Sequence, residues 1–456
     1  MTARSGTGTA ADAEVAVEAA PRVGTPGGVP TRGRTSGAAG GPVGGQTGDP
    51  NGALGLGAFV AVPRVDFARD HWGRAPLLSR ADQLPPPTHG FGPDAVDTLL
   101  SSRALRTPFL RMARDGETLP ESAFTLGGGV GATIGDQVSE DRVLREFAAG
   151  ATIVLQALHR TWEPVAATAR ALAADLGHPV QVNAYVTPPQ NRGFDEHYDV
   201  HDVLVVQVAG EKRWRVHAPV LDAPLRSQPW TDRRDDVAAA AGADPVLDAV
   251  LRPGDCLYLP RGWLHSATAL GGVSTHLTFG IHTWTLRHLV DDLVRAAGEQ
   301  LDDDPAARAS LPLGVDVLDP ATTASHREAA RSALHAAVDA VDDDDLARLL
   351  AGRARAAQRA EPLGVLAQHA AVDRSHVHSW RVRDGLAPRW ETGRLVTRVG
   401  RVDVPDKARD AVRAVISGAL APDVLHDDDL RRLVLAGMVV PDDTARGHEP
   451  LRDPLP

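Results

Sequence analysis

Apolar and polar positions along the chain fall into four successive textures. Residues 1–57 contain no aromatic side chain and 15 of the 44 glycines. A stretch so poor in apolar bulk cannot offset its ordering entropy and is expected to be a disordered extension. Order is expected from Phe59 and Val60-Ala61-Val62, followed by a short amphipathic helix over Asp66 to Trp72. Helices are predicted at Asp94 to Ser101 and Asp141 to Ala148, separated by Gly- and Pro-rich loops. Thr152 to Gln156 is a β-branched apolar run and reads as a strand, whereas Glu163 to Leu176 carries Ala and Leu at helical spacing.

From there short strands dominate: Val180 to Val186, Val203 to Val208, Arg213 to His217, Cys256 to Leu259 and Ser274 to His282. Short strands joined by Gly and Pro turns suggest a sandwich or small barrel. Beyond Leu286 the pattern becomes helical again, with helices predicted near 286–300, 322–340 and 343–359. The Asp302 to Asp304 and Asp342 to Asp345 runs are solvated acid flanking these helices, and the second favours the start of the helix after it. The last ninety residues mix a hairpin, Arg389 to Arg394 with Leu395 to Val402, and two helices, Lys407 to Ser417 and Asp427 to Ala436. Helices with a small hairpin are compatible with a winged-helix fold.

Composition narrows the function classes. The 456 residues carry 48 Lys and Arg against 59 Asp and Glu, a formal net charge of -11. Such a surplus of acid argues against a general nucleic-acid binder and favours a basic partner. A single cysteine, Cys256, excludes an intramolecular disulfide and a thiolate zinc cluster, and suits the cytoplasm. No run approaches the roughly 18 to 20 apolar residues of a membrane span, and no signal-peptide pattern opens the chain. A metal, if bound, must use His, Asp or Glu.

Two segments supply candidates. In His197-Tyr198-Asp199, residues i and i+2 of a strand put an imidazole and a carboxylate on one face. That pair is two-thirds of a facial triad for non-haem Fe(II). His201 shares the face, but a regular strand would carry it roughly 13 Å from His197, at about 3.3 Å per residue. The better third ligand is His265, which follows turn, strand and turn in Pro253-Gly254-Asp255-Cys256 to Leu259-Pro260-Arg261-Gly262-Trp263-Leu264-His265. A lone H-x-D is weak, because any of the 18 histidines could be a surface or core residue. The added distal histidine makes the pattern more specific. An iron held on one face leaves positions for a 2-oxoacid and dioxygen. The acid's far carboxylate then needs a cation. Only Lys212 and Lys407 are lysines, so Lys212 in Gly210-Glu211-Lys212-Arg213-Trp214 stands out, although a solvated turn lysine is the plain alternative.

Taken together, Asn183-x-Tyr185, Thr187-Pro188-Pro189, Gly193-Phe194, His197-Tyr198-Asp199, Gln207, Gly210-x-Lys212-x-Trp214 and Pro260-Arg261-Gly262-Trp263-x-His265 resemble the JmjC-type cupin oxygenases, specifically the ribosomal oxygenases. The resemblance covers about residues 60–285 and reaches the tail only as domain order. It implies an α+β chain: a double-stranded β-helix (cupin/JmjC) domain at 58–285, a helical dimerisation region at 286–365 and a winged-helix-like domain at 366–456, after the extension at 1–57. It implies Fe(II), 2-oxoglutarate and O2, with His197, Asp199 and His265 as iron ligands and Lys212 on the 2-oxoglutarate C5 carboxylate. Asn183 and His276 would line the cosubstrate pocket, unless Asn183 satisfies strand backbone and His276 is a core residue. Trp214 and Trp263 would help exclude water, or serve as plain core. The implied activity is hydroxylation of a protein side chain, with a ribosomal protein as partner, in a cytoplasmic homodimer without membrane contact and without nucleic acid as main partner. The same chemistry on a small molecule or peptide natural product, and a non-catalytic cupin acting as regulator or scaffold, are the competing readings. Lys212 speaks against the scaffold and the helical and C-terminal regions against the small molecule. The Gly-rich extension and His201 depart from the family pattern.

Overall fold

The computed structural model describes residues 55–131, 133–191, 194–373, 379–391 and 393–442. The expected disordered extension thus lies almost wholly outside the described residues, as does Gly193 of the motif set. The chain divides into two compact units: one runs to Thr168 and resumes over Gln181–Gly280, the other takes Ala169–Val180 and everything from Ile281. Among the described residues no helix is long and apolar enough to cross a membrane.

The first unit is built on a nine-stranded, largely antiparallel sheet. Its strands are β1 (Leu77–Ser79), β2 (Leu110–Arg114), β3 (Glu117–Thr118), β4 (Thr152–Leu155), β5 (Val180–Thr187), β6 (Asp202–His217), β7 (Leu247–Leu251), β8 (Cys256–Leu259) and β9 (Leu264–Ile281). The order is β1-β8-β6-β9-β5-β4-β2-β3, with β7 also paired to β6. Helices α1 (Pro93–Ser102), α2 (Glu140–Ala148) and α3 (Glu163–Leu176) fall close to the ranges that periodicity predicts. In α3 the buried residues Val165, Ala166, Ala169, Leu172 and Ala173 recur at the spacing of one helix face.

Two strands are far longer than their sequence suggests. The expected breaks, one around Gly210 and one before Ser274, are instead interior to β6 and β9. β6 pairs with β8 over Val203 to Val206 and with β7 over Lys212 to Val216, so one strand serves two partners along its length. Gly210, at φ +65°, marks the changeover, and a Cβ there would lie 2.2 Å from the Val273 carbonyl oxygen. Only glycine fits that close approach and left-handed backbone. Val203, Val205, Trp214, Val216, Leu251, Leu257 and Leu259 form a buried cluster on these strands. Each such side chain contributes roughly 1.5–3 kcal/mol by leaving water.

The second unit begins with α4 (Leu286–Asp303), α5 (Ala324–Asp339) and α6 (Asp343–Ala357). Asp342 caps α6 by accepting the Asp344 N–H at 2.7 Å, the role its acid run predicts. Asp292 of α4 is fully buried between Arg295 and Arg353. The C-terminal part holds α7 (Val365–Ala371), β10 (Trp380–Val382), a meander of β11 (Arg389–Glu391), β12 (Arg394–Thr397) and β13 (Gly400–Asp403), then α8 (Arg409–Ile416), α9 (Asp427–Leu435) and β14 (Val439–Pro441). β10 and β14 pair, and Leu395, Val412, Leu430, Leu433 and Met438 sit in their common core.

Candidate metal centre

His197 and Asp199 precede β6 in an extended connection rather than a regular strand. His197 is fixed by a two-way antiparallel bridge: its N–H donates to the His265 carbonyl at 3.2 Å, and the His265 N–H returns the bond at 2.8 Å. Gly262 N–H donates to the Asp199 carbonyl at 3.0 Å. The turn before β9 is thereby tied to both residues of the H-x-D.

These ties bring three ligand atoms, one each from His197, Asp199 and His265, within 4.8 Å of one another. The imidazole centroids are 4.5 Å apart, and Asp199 Oδ2 is 3.7 Å from His265 Nε2. Nδ1 of His197 faces the Asp195 carbonyl at 2.7 Å and Nδ1 of His265 faces the Trp263 carbonyl at 3.1 Å. A carbonyl only accepts, so each Nδ1 carries the proton and each Nε2 keeps its lone pair. Burial, reinforced by the charge of His197, pushes the His265 pKa down to about 4. Burial opposes ionisation of Asp199, yet His201, His265, His197 and Arg111 together hold its carboxyl below the usual range. Two imidazoles and one carboxylate are a donor set suited to divalent non-haem iron. His201 stays outside this cluster: its ring lies against Gly280, where a Cβ would come within 2.7 Å.

Lys212 is 4% exposed, and its Nζ donates to Thr187 Oγ1 at 3.1 Å. Burial lowers its pKa to about 7. This is a buried ammonium facing a neutral hydroxyl, not a solvated turn lysine. His276 is buried beside it, stacked on Tyr185 (4.9 Å, 3°) and edge-on to Trp214 (5.4 Å, 83°). Burial and then the charges of Lys212 and His265 depress its pKa strongly. His276 Nδ1 and Trp214 Nε1 are buried without a hydrogen-bond partner among the described residues. Unsatisfied polar atoms beside a buried ammonium fit an oxygen-rich anion such as a 2-oxo dicarboxylate. Asn183 Oδ1 accepts the N–H of Ala157, a residue at φ +56°, so its side chain supports backbone.

Sequence reasoning passes over Arg111, Thr187 as a lysine partner, and Trp230. The Arg111 guanidinium lies 5.4 Å from the Phe194 ring centre, and Phe194 and Trp230 stand 6.0 and 6.2 Å from the His197 ring. Nothing in the local sequence marks Arg111, because its relevance comes from Phe194, far away in the chain.

An antiparallel sheet presenting such a triad and a buried lysine defines a cupin-type metal-site protein. Residues 159–289 match the JmjC domain family. The chain is 33% identical over 255 residues to ribosomal oxygenase 1 of Homo sapiens, covering 47% of this chain and 38% of that protein. It is 36% identical over 139 residues to the bifunctional lysine-specific demethylase and histidyl-hydroxylase NO66 of Drosophila persimilis, covering 30% of this chain and 19% of that one. The matched regions thus span well under half of these relatives' own length. Among solved structures, Escherichia coli ribosomal oxygenase YcfD superposes with TM-score 0.50 at 17% identity, over 84% of this chain and 98% of that chain, which shows a shared fold. Residues 159–289 of this chain are thus similar to the JmjC domain, and the chain is similar over part of its length to these ribosomal oxygenases.

Proposed function

We propose that this protein is an Fe(II)- and 2-oxoglutarate-dependent oxygenase that hydroxylates a side chain of a ribosomal protein. The observation that carries the reading is the His197, Asp199 and His265 cluster with both Nδ1 protons held away by carbonyls, beside a buried Lys212. Those three residues would hold the iron. Lys212, with Thr187, would take the C5 carboxylate, and His276 would line the same pocket; Asn183 would support it through the Ala157 backbone. Iron with 2-oxoglutarate supplies the oxidising chemistry: dioxygen is split, 2-oxoglutarate leaves as succinate and CO2, and one oxygen atom enters the substrate C–H bond. The protein's part is to orient the cosubstrate, exclude water with Trp214, and offer Phe194 and Trp230 as walls beside His197.

The remaining parts follow the domain order expected from 58–285, 286–365 and 366–456. A homodimer through the helical region is supported by Leu286, Val290 and Val294, which leave an exposed apolar stripe along α4. A winged-helix-like reading of the C-terminal part is supported by its helices and meander over one core. Asp427, Asp428 and Asp429 open α9 and disfavour phosphate contact, so a protein rather than nucleic acid is the main partner. The lone buried Cys256 is in keeping with the cytoplasm.

Purified full chain incubated with Fe(II), 2-oxoglutarate and ribosomal proteins from its own source should release succinate and add the mass of one oxygen atom to one of those proteins. An Asp199→Ala variant should do neither. Absence of both signals in the unaltered chain would end the enzyme reading, and loss of a methyl mass would redirect it to demethylation.

A further inference from the structure

The turn that delivers His265 is held from behind by a carboxylate outside the ligand cluster. Asp202, the first residue of β6, is fully buried. Its Oδ2 accepts the Tyr258 hydroxyl at 2.6 Å, and its Oδ1 accepts the Arg261 N–H at 3.1 Å. The Tyr258 hydroxyl in turn accepts the Gly73 N–H at 2.8 Å, while its ring packs on Phe67 (4.9 Å) and Trp72 (6.1 Å). Trp263 Nε1 adds a bond from the same turn to the Arg74 carbonyl at 3.2 Å. One residue past Arg261, Gly262 makes its bond to Asp199 with no slack: its φ is +89°, and a Cβ there would lie 2.5 Å from the Leu221 carbonyl oxygen.

A buried carboxylate is a costly way to fill space, since it loses several kcal/mol of hydration that its hydrogen bonds must offset. What it gives in return is two acceptor oxygens aimed in fixed directions, one of them in a short 2.6 Å bond to the Tyr258 hydroxyl. Both bonds end on the strand–turn unit between Asp199 and His265.

We propose that Asp202 is a positioning residue for the metal centre. Acting through the Arg261 N–H and the Tyr258 hydroxyl, it sets the 260–263 turn and hence the separation of Asp199 from His265, with residues Phe67 to Arg74 as the far anchor. The proposal rests on the metal reading of the site and deepens it.

The test is Co(II) titration of the full chain, read by its visible ligand-field bands and by calorimetry. Asp202→Asn and Tyr258→Phe keep volume and ring packing, so each should leave the far-UV spectrum intact. Each should raise the Co(II) Kd about tenfold, the effect typical of losing an outer partner of a ligand, and shift the ligand-field bands. The double variant should lose less than the product of the two, because both act through one link. Val143→Ala, a core truncation on α2, serves as a variant of lowered stability and should bind Co(II) as the unaltered chain does. Equal affinity in Asp202→Asn, or a loss no greater than in Val143→Ala, would overturn the proposal while leaving the metal reading in place. If the unaltered chain and His197→Ala give the same Co(II) response, the metal reading itself falls and the proposal with it.

Discussion

The usable lone pairs of His197 and His265 are owed to two backbone carbonyls, those of Asp195 and Trp263. The same logic of a neutral partner governs Lys212, whose amine bonds to Thr187 and titrates near pH 7. A dicarboxylate needs the ammonium form, whereas above pH 7 the free protein increasingly holds the neutral amine. Binding must then draw a proton from solvent. Affinity for 2-oxoglutarate should therefore be level below about pH 7 and fall toward tenfold per pH unit above it. Calorimetry in buffers of different ionisation enthalpy would register the proton uptake, and Lys212→Met should bind weakly with no such slope. At this scale the clustering of His197, Asp199 and His265 was legible because its signals are local, an H-x-D and a histidine after two turns, and Lys212 stood out in a chain that holds two lysines. Arg111, Thr187 and Asp202 were not legible, because each acquires its role from a partner elsewhere in the chain.

Among the elements, β6 turns on a single glycine. The local signal of Gly210 is that of a turn, and a left-handed glycine inside a continuous strand looks the same in sequence. The ladder decides, since β8 and β7 pair on either side of it. Gly210→Ala should cost about 2–4 kcal/mol by urea denaturation, combining left-handed strain with the clash at Val273. β7 escaped notice because five residues with an acid in second place carry little period. The helices were legible because Ala and Leu recur at their spacing. In α4, the buried Asp292 is paired with both Arg295 and Arg353. Asp292→Ala should lower stability by about 1–3 kcal/mol through the loss of its bonds to two arginines that still reach water, seen as a drop in Tm. Replacing Asp292 and Arg353 together by Leu and Met should recover much of it.

For the whole molecule, charge is the property that acts at a distance. A net charge of -11 raises the local concentration of a basic partner, and salt screens that attraction. Turnover of a basic ribosomal protein should therefore lose kcat/KM steeply as ionic strength rises, mainly through KM. The KM for 2-oxoglutarate, whose proposed partner is a buried amine, should change little. That a β-sheet domain lies between helical segments was legible in the run of short strands, which suggested a sandwich or small barrel. Strand lengths and pairings were not, since they depend on contacts between distant parts of the chain.

The mutual bridge between His197 and His265 joins residues sixty-eight positions apart. Closing a loop of that size is slow and comes late, after the local contacts have formed. During synthesis the donor pair cannot exist until the start of β9, which carries His265, has left the ribosome, so a nascent chain ending earlier would lack the third donor of the proposed iron site. On the proposed metal reading, loading would then wait for that closure, and a chain that fails to make it would lack one of its three donors rather than hold a reactive ion loosely.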